Sequence, residues 1–331
     1  PEDSSHRLAL AYEHAGPPGW SRLSFSGLWD DYELVTRRVK NPAGSQPGSI
    51  TDADVDARDY GIRGLAERPL GHGQILFGVD ANGRYGLTAD NRTWSFTPDG
   101  PPGPVTVEES ITSARRDDLG FFAGGETDAG PVNFSVGLRV DRATSRNDGG
   151  YFGPLSTSHV NWSGFLAGTL SISREFSVSA QAARGFRDAL LSDRYYRGIS
   201  GRGFITGNPD LLPETSAQFD LGLRFRSGRF AAAGYTYLYR IYDLIERYRQ
   251  GQDYFFRNRG SAEYRGLELE ASAALPLRFQ ALLAAQIERG WVRDDRAPVD
   301  SVPPAGFTLT LRRDAARWWW LGRLIAADRD N

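Results

Sequence analysis

Cysteine is absent from the 331 residues, which excludes a disulfide scaffold, thiolate metal sites and cysteine nucleophiles. Methionine is absent too, position 1 included, where Pro1 stands. A chain that opens on proline is expected to be processed or cut, so the fold must allow for missing ends. Lysine occurs once, as Lys40, against 38 arginines. That bias reads as genomic codon usage, with fork-shaped donors for carboxylates as a secondary gain. Neither sign of charge dominates: 39 basic and 41 acidic residues leave a net charge of −2. A polybasic nucleic-acid binder and an acidic tail protein are therefore both excluded. No apolar run exceeds roughly six residues, where a membrane helix needs about twenty, and no signal-peptide pattern opens the chain.

Glycine and aromatics are what the sequence has in excess. The 38 glycines make about 11% of the chain, against a usual ~7%, and aromatics reach 12%. Mean hydropathy is −0.45. A water-soluble protein has such a mean, and so does a membrane barrel whose strands alternate lipid-facing and lumen-facing residues. Periodicity has to decide between them.

The dominant period is 2. Phe219-Asp220-Leu221-Gly222-Leu223-Arg224-Phe225-Arg226 carries Phe, Leu, Leu, Phe on one face, and Leu267–Ala273, Phe307–Arg312, Val136–Asp141 and Phe176–Gln181 repeat the pattern. These read as strands with one apolar and one polar face. We count about fourteen, near 7–15, 20–38, 59–68, 73–97, 116–129, 132–145, 161–173, 176–187, 215–227, 229–246, 254–274, 278–292, 306–313 and 317–327. Their connections alternate strictly. Short ones (14–19, 68–73, 128–131, 173–175, 227–229, 275–278, 313–317) separate longer polar ones (39–58, 97–115, 146–160, 188–214, 247–253, 293–305). Short turns at one end and long loops at the other are the connectivity of an up-and-down outer-membrane barrel. Trp20, Phe176, Phe230, Phe279 and Trp318-Trp319-Trp320 each follow a short turn, at the height of an interfacial girdle. The sequence thus predicts an all-β, antiparallel transmembrane β-barrel.

Catalytic signatures are missing: there is no G-x-S-x-G, H-E-x-x-H or P-loop. The histidines His6, His14, His72 and His159 are scattered, so neither a metal cluster nor a catalytic triad is supported, and no enzyme activity is expected. Gly201-Arg202-Gly203 with Gly207 lacks the βαβ setting and spacing of a dinucleotide fingerprint, and reads as a flexible loop. Asp52-Ala53-Asp54-Val55-Asp56 has the oxygen density of a calcium loop but carries Ala57 and Arg63 where Gly and Glu belong. A solvated loop is the better reading.

The distinctive stretch is 184–226. Arg184-Gly185-Phe186-Arg187 is followed by Leu191-Ser192-Asp193-Arg194-Tyr195-Tyr196 and then by Gly207-Asn208-Pro209-Asp210-Leu211-Leu212-Pro213-Glu214-Thr215-Ser216. Asn-Pro-Asp with a second proline is a rigid, turn-rich entry into a strand. Here the chain resembles the TonB-dependent receptors of Gram-negative outer membranes. The resemblance extends through Leu76–Asp80, Leu119–Ala123, Gly137–Asp141, Tyr242–Ile245, Asn258–Gly260, Gly266–Leu269 and Val302–Ala305. It covers about residues 60–331.

The resemblance implies a barrel of roughly 22 strands, of which residues 1–331 would form a partial barrel domain of about fourteen. The plug domain, the TonB box and the closing strands are expected outside these residues. It also implies energised uptake through TonB–ExbB–ExbD of a scarce metal chelate. A ferric siderophore is the leading ligand and cobalamin the runner-up, with outer-membrane lipid as the other partner and no nucleic acid. Haem is disfavoured: the family's haem transporters carry a histidine in this region, whereas residues 160–331 hold none, leaving no axial imidazole. No cofactor or bound metal is expected.

If the short turns face the periplasm, loops 188–214, 247–253 and 293–305 form an external vestibule. The candidate ligand-binding residues are Arg187, Tyr195, Tyr196, Arg197, Arg202, Tyr248, Arg249 and Tyr254. Arginine forks hold anionic oxygens, and tyrosines offer a flat apolar face with a hydroxyl tip. Two other readings predict different structures. A passive porin-like barrel would enclose a pore lined by charge ladders, and a soluble carbohydrate-binding module would bury its apolar faces against a second sheet.

Overall fold

Alternating apolar and polar residues turn to opposite faces of an extended chain, and that rule organises almost the whole molecule. The computed structural model describes residues 2–16, 19–40, 48–96, 103–200, 203–294, 296–299 and 302–328. They form one seventeen-stranded sheet. Its strands are β1 (Glu2–His14), β2 (Arg22–Lys40), β3 (Ser49–Leu70), β4 (Gly73–Ser95), β5 (Thr106–Ala129), β6 (Val132–Asn147), β7 (Gly149–Gly150), β8 (Leu155–Ser171) and β9 (Phe176–Arg187). They continue with β10 (Arg197–Ser200), β11 (Gly203–Thr206), β12 (Glu214–Ser227), β13 (Phe230–Gln250), β14 (Asp253–Leu275), β15 (Phe279–Val292), β16 (Gly306–Asp314) and β17 (Trp319–Ala327). The one α-helix among the described residues is α1 (Leu191–Tyr195).

Setting aside the two- to four-residue β7, β10 and β11, fourteen long strands remain, as the periodicity predicts. Each pairs antiparallel with the next, from β1·β2 through β8·β9, β9·β12 and on to β16·β17. Among the described residues β1 pairs only with β2 and β17 only with β16, so the sheet is an open wall with two edges.

The apolar face points outward. Phe219 is 51% exposed, Leu223 45%, Leu267 42% and Leu269 46%, and no second sheet covers them among the described residues. That arrangement contradicts the soluble module, whose core those side chains would form. The opposite face is polar, as a barrel lumen requires. Arg139 reaches Asp80 at 2.6 Å and Asp141 at 2.5 Å while lying over Phe122, and Arg84 reaches Asp59 at 2.7 Å. Aromatics mark both ends of the outward apolar band. Phe279 meets Trp320 at the short-turn end, with Arg313 over Phe279 and Trp318. Toward the other end Trp29 donates to Tyr85, and Tyr60 lies beside Tyr85.

Several boundaries differ from the sequence reading, for one reason: strands run on past the apolar band. β3 begins at Ser49, so Asp52–Asp56 is not a loop but strand, paired with β2 and β4. β5 begins at Thr106 and β8 at Leu155. The supposed 247–253 loop is a two-residue turn, Gly251-Gln252, between β13 and β14. Gly251 sits at φ +65°, a left-handed conformation that hairpin turns demand and glycine adopts freely. No described helix is long and apolar enough to cross a membrane.

Candidate ligand-binding mouth

The strand ends that carry the long connections lie at one end of the wall, and the described residues of the longest, 188–200 and 203–213, form a strap folded across the inner wall. It can fold inward because it carries its own apolar residues. Leu191 and Tyr195 pack with Ala57, Leu87, Ala89, Ile111 and Ala114 from β3, β4 and β5. Ala189 and Leu211 pack with Ile245 of β13, against which Phe256 of β14 also rests.

A buried ion pair fastens this strap. Asp188 and Arg194 are both almost fully buried and meet at 2.8 Å. Arg194 also donates to the carbonyls of Pro209, at 2.9 Å, and Leu211, at 2.6 Å. A buried guanidinium is tolerable only when most of its donors are taken up; here Nη1 and Nη2 are bonded and Nε is not. Arg116 of β5 adds a bond to the Ala189 carbonyl at 2.8 Å. The Asn-Pro-Asp-Leu turn is held from its other side. Asn208 accepts from the Asp210 amide and donates to the Phe256 carbonyl, and Asn258 exchanges bonds with the Leu212 backbone. Gly207 passes so close that a Cβ there would lie 2.7 Å from the Arg194 carbonyl group. The stretch that carries the family resemblance is thus a latch.

The strap's far part reaches both walls. Asn91 of β4 donates to the Arg197 carbonyl at 2.7 Å, and the Arg197 amide donates to Ser110 of β5 at 2.5 Å. The Arg197 guanidinium pairs with Glu108 and lies between the rings of Tyr151 and Phe204. On the opposite side β11 joins the free edge of β14 in parallel, Phe204 to Thr206 facing Asp253 to Phe255.

The candidate residues fall into two groups. Arg187, at the end of β9, is held by Glu214 at 2.8 Å and Asp193 at 3.3 Å. Tyr195 is 1% exposed, inside the strap's core. Tyr196 donates to the Ile199 carbonyl at 2.5 Å, and burial pushes its phenol up to about 12. Burial also raises the Tyr195 phenol. With Arg197, these residues surround α1 and work within the strap.

Tyr248, Arg249 and Tyr254 sit instead on strand ends at the tip of the β13–β14 hairpin. Arg257 lies over Tyr248 at 4.5 Å and Arg247 over Tyr254 at 5.2 Å. Arg249 donates to the Gly251 carbonyl at 2.9 Å and stays exposed. Arg202 lies outside the described residues. Sequence reasoning missed Asp188, Arg194, Arg116, Asn91 and Ser110. The available signal was the apolar content of a supposedly polar loop, Ala189, Leu191, Ile199, Ile205 and Leu211, which announces a core of its own.

One acidic group, Glu33, Asp54 and Asp56, brings carboxylate oxygens within 4.8 Å of one another on the extensions of β2 and β3. They occupy solvent-facing positions on paired strands, without the enclosing loop that a calcium site uses.

Among solved structures, the chain is similar to a copper transporter, OprC, at TM-score 0.80 and 18% identity over 98% of this chain and 52% of that one. It is also similar to the ferric citrate transporter FecA (TM-score 0.73, 12% identity, 97% and 48% covered). A third is the ferric yersiniabactin uptake receptor FyuA from Yersinia pestis (0.64, 15%, 98% and 49%). The chain spans about half the length of these proteins. No curated protein matches the sequence. The family model described as "TonB dependent receptor-like, beta-barrel" matches residues 1–329, and the chain belongs to that family of outer-membrane receptors.

Proposed function

We propose that the protein to which this barrel belongs takes up a metal chelate across the Gram-negative outer membrane, with a ferric siderophore as the ligand. The observation that carries this reading is the β13–β14 hairpin tip, where Arg247, Arg249 and Tyr254 share the strap-facing parity and Tyr248 and Phe255 stack on the other side with Arg257, itself paired with Glu246. Guanidinium forks suit the anionic oxygens of a chelate, and aromatic faces suit its flat organic parts. The role is transport and not bond chemistry. Energy would come from TonB with ExbB–ExbD, acting on a plug expected outside residues 1–331. Tyr248, Arg249 and Tyr254 are the proposed ligand contacts; Arg187, Tyr195, Tyr196 and Arg197 would shape the mouth that presents them.

Cobalamin remains the second ligand of the same family. A passive porin fits less well, because the strap packs across the inner wall where a porin needs an open lumen. Uptake of 55Fe-loaded hydroxamate, catecholate and carboxylate siderophores by cells expressing the full-length gene tests the reading. Accumulation of at least one of them that disappears in a TonB-deficient strain is expected. Uptake independent of TonB would support the porin, and uptake of cyanocobalamin alone would support the runner-up.

A further inference from the structure

A second surface lies on the outside of the wall, where the apolar band ends. Register fixes its membership. Arg184 of β9 faces Ala217, Ala217 faces Arg240, Arg240 faces Glu263 and Glu263 faces Trp291, in one row across five strands. One pair nearer the short turns, Arg265 faces Arg289. All these positions share the outward parity of Phe219, Leu267 and Ile287, which are exposed just below. Residues of the opposite parity, such as Ile245 and Arg187, meet the strap.

The arginines are arranged and not scattered. Glu263 is only 2% exposed although its strand turns it outward, because Arg240 (2.6 Å) and Arg265 (2.5 Å) close over it from either side. Arg265 also lies over Trp291, and Arg184 lies over Trp162 while donating to its carbonyl. Arg289 has no ion-pair partner among the described residues and is exposed. Four guanidiniums thus stand against one carboxylate. Each has five donors, far more than Glu263 and one carbonyl can take up.

Cations beside hydrocarbon are costly unless they reach the headgroup layer and find anions there. The other wing of the wall shows that a basic rim is not a general property of the fold. Past the apolar band on β2, β3 and β4, the outward residues include Asp31, Glu33, Asp52, Asp54, Asp56 and Asp90, and the three arginines among them, Arg58, Arg37 and Arg92, are each paired with one of those acids.

We infer that the Arg184–Arg240–Arg265–Arg289 surface binds the phosphates of an outer-leaflet lipid. Adjacent strands are about 4.8 Å apart, so Arg184 and Arg240, two strands apart, can engage two phosphates of one headgroup, while Glu263 keeps Arg240 and Arg265 extended toward them. This site is separate from the chelate mouth, so its failure would leave the uptake reading untouched, and the converse holds too.

The test is lipid retention by the purified full-length receptor in neutral detergent. It would be titrated with diphosphoryl lipid A, with the same lipid stripped of both phosphates, and with inorganic phosphate, and read by native mass spectrometry. We expect at least tenfold stronger retention of the phosphorylated lipid, reduced to the level of the stripped lipid in R184Q/R240Q/R265Q. R58Q, on the acidic wing, is expected to change nothing. Should the triple variant fail to insert, R289Q alone, which breaks no ion pair, is expected to weaken retention two- to threefold. Equal retention of both lipids, or a variant that retains lipid as well as the parent, would overturn the inference. Binding of inorganic phosphate as tight as that of the lipid would show an anion site and overturn the assignment to lipid.

Discussion

The two sides of the mouth use the same residue types for different ends. In the strap, Arg194 is sealed among backbone carbonyls and Asp188, and Tyr195 is core. At the β13–β14 tip, Arg249 and Tyr248 stand on the last residues of a hairpin that runs past β12 and β15, Arg249 bonded to the turn residues Gly251 and Gln252 and Tyr248 stacked with Arg257 and Phe255. Arginine and tyrosine in a receptor loop are therefore not evidence of ligand contact by themselves. What separates fastener from contact is whether the donors are already spent.

That contrast breaks most visibly at Arg194. Arg194→Ala leaves the buried Asp188 without its guanidinium, with only the His159 imidazole 3.3 Å away among the described residues, a loss of about 3–5 kcal/mol. The strap should then leave the wall, seen as fast proteolytic cleavage within 188–213 while the rest of the barrel resists. Gly207→Ala is the next largest disturbance. A Cβ pressed against the Arg194 carbonyl group should cost about 1–3 kcal/mol, as overpacking does, and hydrogen exchange should accelerate across 191–211. Truncating the tip should do the reverse. Tyr248→Ala removes the ring under Arg257, a stacking contact of about 0.5–1 kcal/mol. It should leave strap proteolysis unchanged while weakening chelate binding severalfold.

The smallest effect concerns pH. Tyr196 holds its proton up to about 12 in the folded strap, above the ordinary ~10 of a free phenol. Its contribution is therefore complete below pH 10 and is lost as pH rises through 12. Strap exchange measured at pH 9 and pH 11.5 should accelerate beyond the intrinsic rate, and Tyr196→Phe should remove that increment.

The wall was legible in the sequence because each strand carries its own evidence: alternation in Phe219–Arg226 states which residues face out, without reference to any other segment. The extensions were not read, although Asp52-Ala53-Asp54-Val55-Asp56 alternates as regularly. There Ala53 is buried, Val55 packs against the strap's core, and the acids face water. Acid density suggested a loop, where period was the better guide. The latch was illegible for another reason. Arg194 meets Pro209 and Leu211 only after the chain has reversed through β10 and β11, and no local spacing encodes that return. Asn208-Pro209-Asp210 could be read as a turn, but its fastening to Arg194 could not.

The most direct measurement is the affinity of the full receptor for the siderophore that supports its uptake. It would be compared between the parent, a Tyr248→Ala/Arg249→Ala/Tyr254→Ala variant and Tyr196→Phe, with strap exchange recorded on the same samples. The account predicts at least a tenfold loss of affinity in the tip variant with strap protection intact, and near-parental affinity for Tyr196→Phe. Parental affinity in the tip variant, alongside a large loss on changing Tyr196, would place the ligand on the strap and contradict the division of the mouth.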